Sequence, residues 1–344
     1  MILQKRDIGI DIMKFFAVLL IMNSHADIMY AKYPSLATGG TIGNVMFFFC
    51  SGFTLFLKPM TGLGGFTDWY KRRLNRILPT LLAFLIFGFA VISPCRVFFF
   101  GEGDVLINDF IDFKSFFHIF VDNGWFITCI LAYYVLIYFL GSYFNKHLTI
   151  LLIVYFVLVI VWFFVTPHPA NYDLYNNHAG GGITWIMWFM YMLLGALAGS
   201  GRLKSNTSSV TSFVLVLLSI ALFYGLYIYS KTPNRIWLQV FSLIPLFGVG
   251  YFSHRLFNGQ LFRRIYKNSV GHAIIRVIGG LCLETYLVHF YVFNDLLNNI
   301  FPANIVILFV ASFIMAYFLR CLARFISQTF NDKPYDWKSI FSVY

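Results

Sequence analysis

Apolar runs of roughly 17 to 25 residues, long enough to cross a bilayer as helices, recur ten times along the chain. They lie near 8 to 28, 41 to 58, 77 to 94, 125 to 144, 148 to 165, 184 to 200, 210 to 229, 236 to 253, 275 to 297 and 303 to 324. The pattern predicts an all-α fold, a polytopic membrane helix bundle of about ten transmembrane helices. No linker long enough to set off a second domain interrupts it, and no internal repeat is visible, so residues 1–344 are expected to form one integral membrane domain.

Polar positions break the first run in an informative way. Lys14 and His25 stand eleven residues apart, just over three helical turns. They therefore share one helix face, about 16 Å apart along the axis. Asp11 lies one turn before Lys14 and Asp7 one turn before Asp11, which extends the polar stripe toward the amino end. Ionisable side chains are costly in lipid and usually face a bundle interior or a wet cavity, where they mark a functional path. Lys5, Arg6, the apolar stretch and Ser24-His25-Ala26 imitate a cleavable secretory signal, but Asp7, Asp11 and Lys14 interrupt what should be an uncharged core. The segment is read as a retained first helix.

Composition agrees with the run pattern: 59% of residues are hydrophobic and 11% charged, against about a quarter charged in soluble domains. Basic residues then orient the bundle, because short cytoplasmic loops collect Lys and Arg. With the amino terminus cytoplasmic, one side receives Lys5, Arg6, Lys58, the group Lys71 to Arg76, Lys146, Arg202, Lys204, the group Arg255 to Arg276, and Arg320 onward. The other receives Lys32, Arg96, Lys114, Lys231 and Arg235 with the acidic run Glu102, Asp104, Asp109, Asp112 and Asp122. An even helix count puts both termini in the cytoplasm. The net charge of +11 is then mostly topology, and no nucleic-acid partner is expected, since no basic-aromatic groove motif accompanies it. The five cysteines are isolated and suit small hydrophobic packing. No metal-ligand spacing, Walker loop, dinucleotide fingerprint or GxSxG elbow occurs, so no metal is expected.

Four further features bear on chemistry, each with a plainer reading beside it. Tyr70-Lys71-Arg72-Arg73-Leu-Asn-Arg76-Ile-Leu-Pro79 leads into the third helix. There Arg73 and Arg76, three apart, present guanidinium groups suited to phosphate oxygens, although a positive-inside anchor accounts for the same residues. Glu284-Thr285-Tyr286-Leu-Val-His289 places a carboxylate and an imidazole in apolar sequence, as a site or as a satisfied interhelical hydrogen bond. Asn123-Gly124-Trp125-Phe126 opens the fourth helix, where an interfacial Trp is ordinary. The loop from Pro167 to Trp188, containing His178, sets flat aromatics beside Asn, Asp and His. That mixture suits a sugar, with its apolar ring face and hydroxyls, and equally describes a glycine-rich surface loop.

Taken together these residues resemble the integral membrane acyltransferase 3 family. The resemblance rests on the Lys14-to-His25 spacing, Phe49-Cys50-Ser51-Gly52-Phe53, Arg72-Arg73-x-x-Arg76-x-x-Pro79, Trp125-Phe126 and Tyr286-Leu-Val-His289, in order over nearly the whole chain. Many members carry Arg where this chain has Lys14, which keeps the charge and loses the bidentate fork. The resemblance implies transfer of an acyl group, acetyl in many members, from cytoplasmic acyl-coenzyme A to a hydroxyl of a cell-surface or exported glycan, in a bacterial-type inner membrane. It implies His25 as the base, with Lys14, Asp11 and His289 assisting; Asp27, Lys14 and His289 are all open as its partner. Arg72, Arg73 and Arg76 are expected to hold donor phosphates, and Trp125, Glu284, Tyr286 and His178 to meet substrate. The lipid bilayer and a glycan are the expected partners, and a homo-oligomer is left open. A transporter or flippase for a glycan or small polar solute is the alternative, since a polar stripe in a helix bundle is equally natural there.

Overall fold

A computed structural model of the chain describes residues 7–57, 65–101, 124–176, 182–203, 206–330 and 333–343. The described residues are helical, with no strand among them. In order, the α-helices are α1 Ile8–Ser24, α2 Gly40–Phe56, α3 Phe66–Phe87, α4 Ser93–Phe100, α5 Trp125–Tyr143, α6 Leu148–Val165, α7 Gly182–Ile186 and α8 Phe189–Gly199. They continue as α9 Ser209–Tyr229, α10 Leu243–Phe257, α11 Gln260–Lys267, α12 Ser269–Gly280, α13 Cys282–Val292, α14 Ala303–Thr329 and α15 Trp337–Ile340. Among the described residues, eight stretches are long and apolar enough to cross a membrane, and a ninth forms if the bent pair α12–α13 is taken as one span. The protein is a multi-pass integral membrane protein.

The bilayer explains why such sequences are helical at all. α6 reads Leu-Thr-Ile-Leu-Leu-Ile-Val-Tyr-Phe-Val-Leu-Val-Ile-Val-Trp-Phe-Phe-Val, rich in β-branched and aromatic residues that disfavour helix in water. In hydrocarbon every backbone N–H and C=O must be satisfied within the segment, and a helix does this. Its span is the most apolar among the described residues, with a mean hydropathy of 3.1, and only 17% of it is buried inside the protein. Lipid covers the rest. The span Gly182–Gly199 is less apolar, at 1.5, and 72% buried. Its residues pack against other helices, so it has less lipid to match.

The first expected helix ends at Ser24 and the sixth is divided into α7 and α8; the third, eighth and ninth differ further. The third begins at Phe66 rather than near 77, so the basic cluster lies inside the helix instead of before it. Charged residues end an apolar run without ending a helix, because Lys and Arg are good helix formers. α3 then continues through a π turn, Gly88–Ile92, into α4. The eighth is preceded by a 3-10 stretch, Pro233–Ser242, and becomes α-helical only at Leu243. The ninth is broken: α12 and α13 meet at 75°. The break follows Gly279-Gly280, a pair that weakens the helical ladder at that point.

Packing divides the chain into two interleaved units, one formed by residues 1–17, 41–63 and 129–275, the other by 18–40, 64–128 and 276–344. In the first, α2 and α8 touch backbone to backbone. A Cβ on Gly52 would lie 1.8 Å from the carbonyl oxygen of Met192, one on Gly195 2.0 Å from that of Phe49, and one on Gly199 2.3 Å from that of Phe53. Gly195-Ala-Leu-Ala-Gly199 is a G-x-x-x-G stripe, the small-residue pattern by which membrane helices approach closely. It supplies a structural reason for the Phe49-to-Phe53 motif. Gly52→Ala is therefore expected to force the helices apart and lower thermal stability in detergent by about 1–3 kcal/mol, while Ser51→Ala leaves it unchanged. Equal melting of Gly52→Ala and the parent would contradict this close approach.

In the second unit, α14 packs along α3 and α13. Arg320 of α14 forks onto Glu284 of α13, Nε to Oε1 at 3.2 Å and Nη2 to Oε2 at 3.1 Å. Arg320 also donates to the carbonyl of Gly280. Beyond α14 the chain folds back, with Arg324 Nη1 donating to the carbonyls of Ser339, at 2.9 Å, and Ser342.

Candidate active site

α1 ends at Ser24, and His25 follows in a turn whose N–H donates to the carbonyl of Met22 at 3.1 Å. A short polar segment then fixes the position of that turn. Asn23 Nδ2 donates to the carbonyls of Leu36, at 2.8 Å, and Thr38, at 2.9 Å, and accepts from the Tyr30 hydroxyl at Oδ1. From the far side, Asn304 of α14 donates to the carbonyl of Met29 at 2.7 Å, and Asn298 to that of Ile28 at 2.9 Å. His25 is thus held by side-chain to backbone hydrogen bonds on both flanks, which spares its own ring from a structural role.

The ring of His25 lies beside α13, its centroid 5.3 Å from that of His289 and 4.4 Å from that of Phe290. His289 is fully buried, and its Nδ1 sits 2.9 Å from the carbonyl oxygen of Thr285, one turn back. A carbonyl only accepts, so Nδ1 carries the proton and the neutral ring presents Nε2 as an acceptor. Among the described residues Nε2 has no hydrogen-bond partner. Two imidazoles therefore share one aromatic pocket, one with an acceptor nitrogen left for chemistry.

The same pocket gathers residues far apart in sequence. Tyr286 lies 6.2 Å from His289 by ring centroids, Phe126 lies 5.6 Å from Tyr286, and Trp125 lies 6.1 Å from Phe126. On another side, the ring of Phe84 of α3 lies 5.9 Å from that of Tyr291, tilted by 51°, and the Tyr291 carbonyl accepts from Arg96 at 3.2 Å. α13 thus brings His25, His289 and Tyr286 together, and Phe126 reaches Tyr286 from α5, with Trp125 beside Phe126.

Other expected site residues lie elsewhere. Glu284 points to Arg320 and takes the interhelical bond described above. Arg72 and Arg76 are exposed on the first turns of α3, and Arg73 stacks 4.4 Å over the buried ring of Trp69. Asp11 is buried in the first half of α1 and accepts from the hydroxyl of Tyr266 at 2.6 Å. Lys14 is half-buried, and among the described residues of its unit its ammonium has no hydrogen bond or ion pair. Asp7 caps α1, accepting from the N–H of Ile10 at 3.0 Å, from His254 at 3.1 Å and from Asn258 at 3.2 Å. Burial pushes its carboxyl up, but these hydrogen bonds and the His254 charge outweigh it and hold the carboxyl below the usual range.

His178 lies outside the described residues, as does the acidic run from Glu102 to Asp122. The described part of the Pro167-to-Trp188 loop spends its polar groups internally. Gln239 bridges the N–H of Leu174, at 2.8 Å, and the carbonyl of Tyr172, at 3.0 Å. Tyr227 donates to Asp173 at 2.7 Å.

Sequence reasoning did not single out Phe290, Arg320, Trp69 or Tyr266. Trp69 stands four residues before Arg73, a helical neighbour once the helix is known to start at Phe66. Arg320 and Tyr266 carry no such signal, because their partners are 36 and 255 residues away. Compared with known families, residues 7–326 match the one described as an acyltransferase domain. No curated protein and no solved structure matches the chain.

Proposed function

Because the chain belongs to the acyltransferase 3 family, and is thus a membrane acyltransferase, we propose that it moves an acyl group, acetyl in the simplest case, from cytoplasmic acyl-coenzyme A to a hydroxyl of an exported or cell-surface glycan. The observation that carries this reading is the His25–His289 pair in its aromatic pocket. His25 is the base. Its imidazole takes the proton of the acceptor hydroxyl as the oxygen attacks the thioester carbonyl; the C–S bond breaks, and the returned proton leaves on the coenzyme A thiol. His289, its Nδ1 tied to Thr285, holds its acceptor nitrogen toward the same space and orients the reacting hydroxyl or the His25 ring. The Phe290, Tyr286, Phe126 and Trp125 rings offer apolar faces to a sugar.

Donor phosphates suit the arginine-rich start of α3. Arg72, Arg73 and Arg76 fall on adjacent turns, and stacking on Trp69 holds the Arg73 plane; guanidinium groups suit phosphate oxygens. Glu284 serves the reaction by fixing α13 through Arg320 rather than by meeting substrate, and Asp11 similarly steadies the first half of α1 through Tyr266. The membrane is a bacterial-type inner membrane in this reading, with the donor entering from the cytoplasm.

Purified protein given labelled acetyl-coenzyme A is expected to release free coenzyme A only when a glycan acceptor is present, with label appearing as an ester on the glycan. Arg76→Ala should weaken coenzyme A binding by about 1.5–3 kcal/mol, the range for a charge-assisted hydrogen bond. Transport of label without ester formation would replace the enzyme by a carrier. Unchanged coenzyme A affinity in both Arg73→Ala and Arg76→Ala would remove the donor-phosphate assignment.

A further inference from the structure

α11 is short and sharply two-sided. At 100° per residue, Leu261, Phe262, Ile265 and Tyr266 fall on one side and Gln260, Arg263, Arg264 and Lys267 on the other. Part of the apolar side is spent on the protein: Phe262 packs 4.9 Å from Phe257 by ring centroids, and Tyr266 donates to Asp11 at 2.6 Å. Its flank is not, since Leu261 is 65% and Ile265 42% exposed, and Val270 and Ile274 of α12, one turn apart, continue it at 64% and 48%. All three cations are exposed.

Position decides what covers this surface. The span Pro233–Phe257 ends three residues before α11 begins, so α11 lies where the chain leaves hydrocarbon for the headgroup layer. Residues 258–283 contain no Asp or Glu, so nothing in the segment neutralises Arg263, Arg264 and Lys267. A helix with bare apolar residues beneath and cations above, at that depth, matches the acyl-chain boundary below and negative headgroups beside it. We infer that α11 is an interfacial helix that binds the headgroups of anionic phospholipids in the leaflet at which α10 ends. A soluble partner would have to cover Leu261, Ile265, Val270 and Ile274 against competition from the bilayer.

The test uses the full chain in nanodiscs of phosphatidylcholine alone or with phosphatidylglycerol, counting retained lipids by native mass spectrometry. The parent protein is expected to retain phosphatidylglycerol preferentially, and the R263Q/R264Q/K267Q variant to lose that preference, by roughly fivefold per cation removed. The single variants R264Q and K267Q, each with its own roughly fivefold loss, carry the test if the triple variant does not fold. An undiminished preference in the variants, or none in the parent, would overturn the inference. So would a triple variant that keeps its lipid preference and instead loses coenzyme A binding, which would give these cations to a soluble phosphate ligand. Neither readout depends on acyl transfer.

Discussion

His25→Ala is expected to lower acyl transfer by about 10²–10⁴-fold, the usual contribution of a positioned general base, without unfolding the protein. The second half of this statement rests on how His25 is held. Asn23, Tyr30, Asn298 and Asn304 fix the turn through bonds that do not involve the imidazole. Removing the ring costs its contacts with Phe290 and His289 and little else. Thermal melting in detergent and coenzyme A affinity should therefore stay near parental values while ester formation on the glycan falls by that factor. His289→Ala should slow transfer less, because that ring orients rather than receives the proton. Retained parental activity in His25→Ala, with glycan ester measured directly, would exclude the base assignment.

Glu284→Ala is expected to destabilise the protein by about 3–5 kcal/mol, because it strands the Arg320 guanidinium in a buried site. The Glu284 and Arg320 side chains are 9% and 11% exposed, and Arg320 donates two hydrogen bonds to the carboxylate. Replacing both at once, as Glu284→Leu with Arg320→Leu, should recover most of the loss, since no charge is then left unpaired. Equilibrium unfolding in detergent reads both. If the single and double variants melt alike, the pair is not coupled and Glu284 is available to substrate. Activity adds a second reading: loosening α13 moves His289 as well, so transfer should fall in Glu284→Ala even below its melting range.

Much of the helix plan is legible in the chain because lipid enforces it residue by residue. A run such as Leu148–Val165 has no other way to satisfy its backbone in hydrocarbon, so its bounds follow from hydropathy alone and agree with the structure. Where a segment leaves lipid that rule lapses. Hydropathy puts the start of α3 eleven residues late, at 77 against 66, because charge ends an apolar run without ending a helix. Breaks are equally obscure: Gly279-Gly280 bends its helix pair by 75°, whereas Gly195 and Gly199 sit in an unbroken helix and mark a close crossing. A glycine's role depends on what faces it.

The candidate site divides along the same line. Cost in lipid singles out Lys14, His25, Glu284 and His289 from the sequence alone, since each ionisable group in an apolar run needs a compensating partner. Which partner each one takes is a long-range matter. Glu284 and His289, five residues apart on one helix, have opposite fates: Arg320 of α14 claims the carboxylate, while the imidazole turns to His25. The apolar spans and the positions of costly side chains follow from local chemistry. Their pairing, and hence which of them remain available for chemistry, was decided by how distant helices pack, because a contact spanning tens to hundreds of residues leaves no periodic trace in the chain.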